Sequence, residues 1–210
     1  DLLMPEDDQQ AFLDLMWPEA ARMIKTLGEA TVEMTVRDDN VELAERITAY
    51  GFRPTEEVGM ATWLNSSERP APAAAAEGFS ISSRDVNPTR EHHLAARNGS
   101  DIAIRLTECS LYDPWLDLVV YGPDDDVAAY GLFWADTITG VGLVEPMRTE
   151  EPFQQLGLAS ALLATGLDRL ANRGCSRMKV TYLLDNRASI RLYLGAGFIR
   201  TSSSTTYQLH

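Results

Sequence analysis

The chain is poor in cysteine and histidine, short of positive charge, and without a long apolar run. Its two cysteines, Cys109 and Cys175, lie in separate segments with neither metal-ligand nor redox spacing, so each reads as a buried, reduced thiol. On that reading a disulfide scaffold is excluded, no metal is expected, and a cytoplasmic setting follows. No apolar stretch is long enough to span a bilayer and no signal-peptide pattern opens the sequence, so no membrane partner is expected. Lysine and arginine number 18 against 31 aspartates and glutamates, a net charge of −13. That deficit excludes general nucleic-acid binding, which needs a basic face for the phosphates. It also means that an anionic ligand must be held by local features: helix N-termini, backbone amides and a few arginines. An acidic surface favours a cationic partner such as an amine or a basic peptide, although it serves solubility equally well.

What is present is an ordinary globular composition, 45% hydrophobic and 23% charged, over 210 residues, enough for one large domain or two small ones. Residues 66–77 are rich in Ala, Pro and Ser and read as a linker between a first part, 1–65, and a second, 78–210. An internal repeat crosses this linker. A shift of 146 residues carries Val32–Asn40 onto Met178–Asn186, Gly28 onto Gly174, and Gly51-Phe52 onto Gly197-Phe198. Both stretches show a helix, a strand, a helix and a strand in that order. The same shift carries Asp1 onto Met147, so residues 78–146 have no counterpart in the first part. The natural protein or its ancestor is therefore expected to have had roughly 70 further residues ahead of Asp1, the size that would complete a domain. Without them the first part is an incomplete sheet that must lean on the second part or on another chain.

Within the second part, strands are expected at 79–83, 116–121, 127–134 and 140–144, with a tight turn at 137–139. A polar helix over 88–98 would carry His92 and His93 into solvent, and 102–111 is ambiguous. A helix is expected from Leu156 to Arg173, with Leu156, Ala159, Leu163, Leu167 and Leu170 on one face and Gly174 just behind it. A strand over 177–184, a helix between an Asn186 cap and Gly197, and a last strand from Phe198 complete a mixed α/β pattern around a largely antiparallel sheet.

The stretch that carries chemistry runs from Glu145-Pro146 through Gln154, Gln155, Leu156, Gly157, Leu158 and Ala159 to Ser160. A strand ends there, a loop turns and a helix begins. Gly157 lets backbone approach a ligand and Ala159 keeps bulk away. Amides at a helix start have no intrahelical partner and sit at the positive end of its dipole, so they can cradle a diphosphate without basic side chains. A glycine needed only for close helix–strand packing would leave the same trace.

Gln154, Gly157 and Ala159 resemble the pattern of the GNAT superfamily of N-acetyltransferases: Gln or Arg, two residues, Gly, one residue, then Gly or Ala. Some thirty residues on, Asn186, Ala188, Leu192-Tyr193 and Gly197-Phe198 resemble that family's next helix. The resemblance covers essentially 78–210 and implies an acyl-CoA N-acyltransferase fold: a mostly antiparallel sheet with a splayed strand pair, flanked by helices. It implies direct transfer of an acetyl group from acetyl-CoA to a primary amine of a small molecule or peptide. Amides from Gln155 to Ser160 would hold the pyrophosphate, amides near Val144 would polarise the thioester carbonyl, and Asn186 would contact the cofactor as well as cap its helix. Tyr193 matches the family's general acid, and Glu145 is the carboxylate nearest the reaction centre in sequence, a candidate base. Packing at a cleft edge for Tyr193 and a structural role for Glu145 remain alternatives. Trp115, Trp134 and Tyr130 would serve either an acceptor pocket or the core. The first part departs from the pattern, with Asp8, Ala11 and Ile47 where the shift expects Gln154, Gly157 and Tyr193, so it reads as a degenerate, non-catalytic copy. A homodimer is compatible with this reading. The alternative to an enzyme is a regulatory or scaffold module that binds acyl-CoA without turnover.

Overall fold

The computed structural model describes residues 6–26 and 31–209. In chain order the elements are α1 (Glu6–Thr26), β1 (Val32–Arg37), α2 (Val41–Tyr50), β2 (Arg53–Asn65), β3 (Ser80–Ser83), α3 (Ala95–Asn98), α4 (Ile102–Thr107), β4 (Asp117–Tyr121), β5 (Val127–Asp136), β6 (Val141–Thr149), α5 (Leu158–Asn172), β7 (Arg177–Leu183), α6 (Arg187–Gly195) and β8 (Ile199–Leu209). They form two compact units, Asp1–Val58 with Ser204–His210, and Gly59–Ser203; β2 and β8 contribute to both.

In the first unit β1 runs antiparallel to the end of β8, from Val32 opposite Leu209 to Arg37 opposite Ser204. Val36, Ile47 and Phe52 form its buried centre, with Trp17 edge-on to Tyr50. Asn40 caps α2 by accepting from the Leu43 amide, and Gly51 ends it at φ +120. The 146-residue shift carries β1, α2 and β2 onto β7, α6 and β8 to within a residue or two. It also carries the Asn40 cap onto Asn186, which accepts from the Ser189 amide, and Gly51 onto Gly197 at φ +96. Gly28, the remaining landmark of the repeat, lies outside the described residues.

The second unit holds a mixed sheet in the order β2-β7-β6-β5-β4-β3, with the start of β8 beside β2, where Thr201 donates to the Ala61 carbonyl. Every pairing recorded within it is antiparallel except β6 with β7. The strand beside β7 is thus supplied by residues 59–65, ahead of the Ala/Pro stretch. On one face α5 buries Leu158, Leu162, Leu163, Leu167 and Leu170 against β4–β7. On the other, Leu94, Ile102 and Leu106 cover Val119, Tyr121, Tyr130 and Leu132.

Four local expectations are corrected. Leu156 is not on the helix face: it is 46% exposed, because Gly157 adopts φ +76 and α5 starts only at Leu158. Residues 88–94 form turns rather than a helix, consistent with the bias of a residue before proline, here Asn87, against helical backbone. Cys109 is exposed, in the turn after α4, while Cys175 is buried as expected.

His92 and His93 are not solvated. Both side chains are buried against Asp117, which opens β4 at 0% exposure. His92 Nε2 lies 2.9 Å from Asp117 Oδ2, and the Tyr112 hydroxyl donates to the same oxygen at 2.7 Å. The Leu94 amide donates to His92 Nδ1, so in the neutral ring the proton sits on Nε2 and points at Asp117. His93 Nε2 comes within 2.8 Å of Asp117 Oδ1, but off the direction a hydrogen bond requires, and neither atom has another partner. Burial alone would raise the Asp117 pKa; the donors from His92 and Tyr112, with the His93 ring close by, outweigh it and hold the carboxylate well below its usual range.

Two predictions follow from this packing. Gly166→Ala sets its Cβ 2.1 Å from the Phe133 ring, while Gly195→Ala on α6 meets nothing within 4 Å. Chemical denaturation should show the first losing about 1–3 kcal/mol and the second neutral or gaining up to about 1 kcal/mol. Asp117→Asn removes the buried anion and should cost about 3 kcal/mol at neutral pH. Since the folded pKa is depressed, the native carboxylate contributes stability above the unfolded value of about 4 and loses it as pH falls further. The gap between variant and wild type should therefore shrink below about pH 4, and a constant gap would refute this account of the cluster.

Candidate functional site

The site begins where a ladder stops. β6 and β7 pair in parallel only from Val141–Arg177 to Leu143–Lys179. Beyond that, β7 keeps to β2, while β6 continues along β5 through a bulge that sets Glu145 and Pro146 against Leu132. The two strands part at Val144, and beyond the parting lies a cleft of about 570 Å³. Its walls are Met147–Thr149 of β6, the loop from Phe153 into α5, and α6 from Asn186 to Tyr193.

The loop is shaped to present its backbone. A single 3-10 turn over Glu151–Phe153 follows β6, Gln154 Nε2 reaches back to the Thr149 carbonyl at 3.4 Å, and Gln155 and Gly157 adopt φ +63 and +76. Leu158, at 1% exposure, pins the first residue of α5 in the core. Ser160 and Ala161 are the first amides to find partners, both on the Gly157 carbonyl at 3.1 Å. Among the described residues, no partner is recorded for the N–H groups of residues 155–159. A Cβ at Gly157 would meet nothing within 4 Å, so the space over these donors is open. Five free amides at the positive end of a fifteen-residue helix suit a diphosphate.

α6 supplies the opposite wall. Asn186 caps it with its side-chain oxygen, which leaves the side-chain NH2 of this cleft-lining residue without a partner among the described residues. Tyr193 is 6% exposed, stacked on Tyr182 at 6.1 Å and edge-on to Phe198 at 5.9 Å. Its hydroxyl has no hydrogen-bond partner among the described residues. Burial pushes its pKa up to about 12, and the Glu145 charge adds to the shift, so that carboxylate lies within electrostatic reach of the phenol.

Of the residues singled out in the sequence, Gln154, Gln155, Gly157, Leu158, Ala159, Ser160, Asn186 and Tyr193 line one cleft. Leu156 turns away into solvent, and the Val144 side chain is buried in the core where the strands part. Glu145 is exposed outside the lining, with its carbonyl accepting from the Trp134 indole at 2.6 Å. Trp134 therefore stands beside the site, whereas Tyr130 is core and Trp115 packs under Arg169 and Arg173. Sequence reasoning missed Arg148, Phe153, Ser189 and Arg191. Ser189 was findable, since Asn186, Ser189 and Tyr193 recur at helical spacing.

Among the described residues, one group of side chains has metal-ligand composition, His92, His93 and Asp117. It does not suit a metal ion. A His92 ligated through Nε2 would carry its proton on Nδ1, facing the Leu94 amide that now donates there. No helix of the described residues is long and apolar enough to cross a membrane.

Comparison with known proteins agrees with this geometry. Two mycothiol acetyltransferases are similar over part of their length. That of Clavibacter michiganensis subsp. michiganensis is 30% identical over 147 residues, 67% of this chain and 48% of the relative. That of Kineococcus radiotolerans is 33% identical over 107 residues, 51% and 34%. The chain thus spans about half the length, or less, of these curated relatives. Among solved structures, a GCN5-related N-acetyltransferase from Sphaerobacter thermophilus aligns with TM-score 0.69 at 18% identity, over 97% of this chain and 68% of that one. A tandem GNAT protein from the clavulanic acid biosynthesis pathway aligns with TM-score 0.71 at 14% identity, over 93% and 69%. At such identities these two speak for the fold alone. The profile of the acetyltransferase (GNAT) family matches residues 86–198, which contain the splayed strands, the amide-presenting loop and Tyr193, and the chain belongs to that family.

Proposed function

We propose that this chain transfers an acetyl group from acetyl-CoA directly to a primary amine of a small molecule or peptide, at the cleft between β6, α5 and α6. The observation that carries the reading is the run of unpartnered amides at residues 155–159. They and the Asn186 side-chain NH2 bind the coenzyme's diphosphate end, which aims the arm of the molecule along the gap between β6 and β7. The coenzyme supplies the activated acyl group. Backbone N–H groups at Val144, where pairing with β7 has ended, polarise the carbonyl. Tyr193 protonates the departing thiolate: raised to about 12, its phenol remains an acid throughout the physiological range. Glu145 takes the proton from the attacking amine, directly or through water. A net charge of −13 favours a cationic acceptor, and the mycothiol acetyltransferases named above keep a small molecule in view.

The first part of the chain is read as a degenerate copy of the α5–β8 segment. The shared element bounds and the Asn40 and Asn186 caps support this. Where the active copy has Gly157 and Tyr193, the first part has Ala11 and a fully buried Ile47, so it lacks both the open loop and the acid.

Thiol release on adding an amine panel, together with calorimetry of acetyl-CoA, tests the enzyme reading against mere binding. Tyr193→Phe should lower kcat by about 10²–10⁴ while acetyl-CoA affinity stays within about twofold. The wild-type pH profile should show no alkaline loss attributable to Tyr193 near pH 10, because the shift delays its ionisation to about 12. Gly157→Ala forces a side chain to φ +76 over the open amides; it should weaken acetyl-CoA binding at least about tenfold while costing only about 1–2 kcal/mol of stability. Tight coenzyme binding with no thiol release for any amine would overturn the enzyme reading and leave a binding module.

A further inference from the structure

The protein pairs its positive charge thoroughly. Arginines 22, 37, 46, 69, 90, 97, 105, 148 and 173 meet carboxylates. Arginines 53, 84, 169 and 200 donate to carbonyl or hydroxyl oxygens, and Arg177 lies over the Trp63 ring. Among the described arginines only Arg187 and Arg191 have no side-chain hydrogen bond, ion pair or ring contact. Both are exposed on α6, four residues apart and so on one face of the helix. Arg191 lines the cleft, and Arg187 sits between the lining residues Asn186 and Ala188.

Their position is electrostatically unfavourable for the fold alone. Arg187 is the first residue of α6, at the positive end of its dipole, and no acidic residue stands in that first turn. In a chain of net charge −13, two neighbouring cations without a carboxylate call for an external anion. The diphosphate is already served by the amides at the start of α5. Coenzyme A carries one further anionic group, the 3′-phosphate on its ribose.

Resting on the acetyl-CoA reading above, we infer that Arg187 and Arg191 form a two-arginine clamp for the 3′-phosphate of coenzyme A. They make the protein discriminate coenzyme A from 3′-dephospho-coenzyme A. Guanidinium groups suit the task because each presents a planar fork of donors to phosphate oxygens. Exposure to solvent limits the gain, so a preference of about tenfold is expected.

Calorimetry with both nucleotides tests this on wild type and on Arg187→Gln/Arg191→Gln. Wild type should bind coenzyme A about tenfold tighter than the dephospho form, and the preference should shrink as salt rises. In the double variant the preference should vanish, while affinity for the dephospho form stays unchanged. Removing a cation from the start of α6 should also leave the thermal midpoint equal or higher, which separates the effect from misfolding. Equal binding of the two nucleotides by wild type would overturn the clamp and leave the acetyl-CoA reading standing. Equal weakening of both by the double variant would assign the arginines to the diphosphate and likewise overturn it. If wild type binds neither nucleotide, the acetyl-CoA reading falls, and the clamp with it.

Discussion

The start of α5 presents five amide donors that the protein itself does not use, and the rest of the second unit is arranged so that they stay that way. A helix start ordinarily covers its donors with a capping side chain. Here the residue before the helix is Gly157 in left-handed geometry, which brings no side chain to cap with and turns the chain so that the donors face a cleft. Leu158 anchors the next residue in the core, and Leu162, Leu163, Leu167 and Leu170 hold the helix axis against the sheet. The direction of the amides is therefore set by apolar packing of α5 and not by the loop's own contacts. The parting of β6 and β7 after Leu143 supplies the space into which they point.

The opposite face of the same sheet is stabilised differently. Asp117 is fully buried where β4 begins, and its charge is met by Tyr112 and by two histidines from the turns ahead of α3. Those turns replace the helix that composition alone suggests, and they fasten the segment between β3 and α4 to the sheet. The cluster thus fastens the layer from the turns ahead of α3 to α4 onto the sheet, while the Trp134 indole fixes the Glu145 carbonyl at the bulge. Apolar packing on both faces, with a polar anchor added on one, holds the sheet, while the amides at the start of α5 remain unspent.

Much of this was legible in the sequence because its determinants are local. β7 alternates buried and more exposed residues, while β4 and β5 are apolar runs bounded by turn residues. α6 is announced by its Asn186 cap and by Gly197, and the first part repeats that grammar at Asn40 and Gly51. The loop around Gly157 was readable because a glycine between a strand and an apolar helical run has few local uses. Other features were illegible for equally physical reasons. The pairing of residues 59–65 with β7 is a contact across more than a hundred residues and leaves no periodic trace. The burial of His92 and His93 depends on Asp117, twenty-five residues away. Leu156 matched the helical period yet fell outside the helix, since one left-handed residue shifts a helix start without altering the pattern of apolar side chains. Arg187 and Arg191 stood out only once the partners of the other arginines were known.

The most direct measurement is an amide-resolved NMR titration of the isotope-labelled chain with coenzyme A. The account predicts that the backbone N–H resonances of residues 155–159 move downfield together and saturate with a single affinity, while those of the buried turns of α5 hardly move. Saturable binding that leaves those five amides unperturbed and shifts another region instead would contradict it.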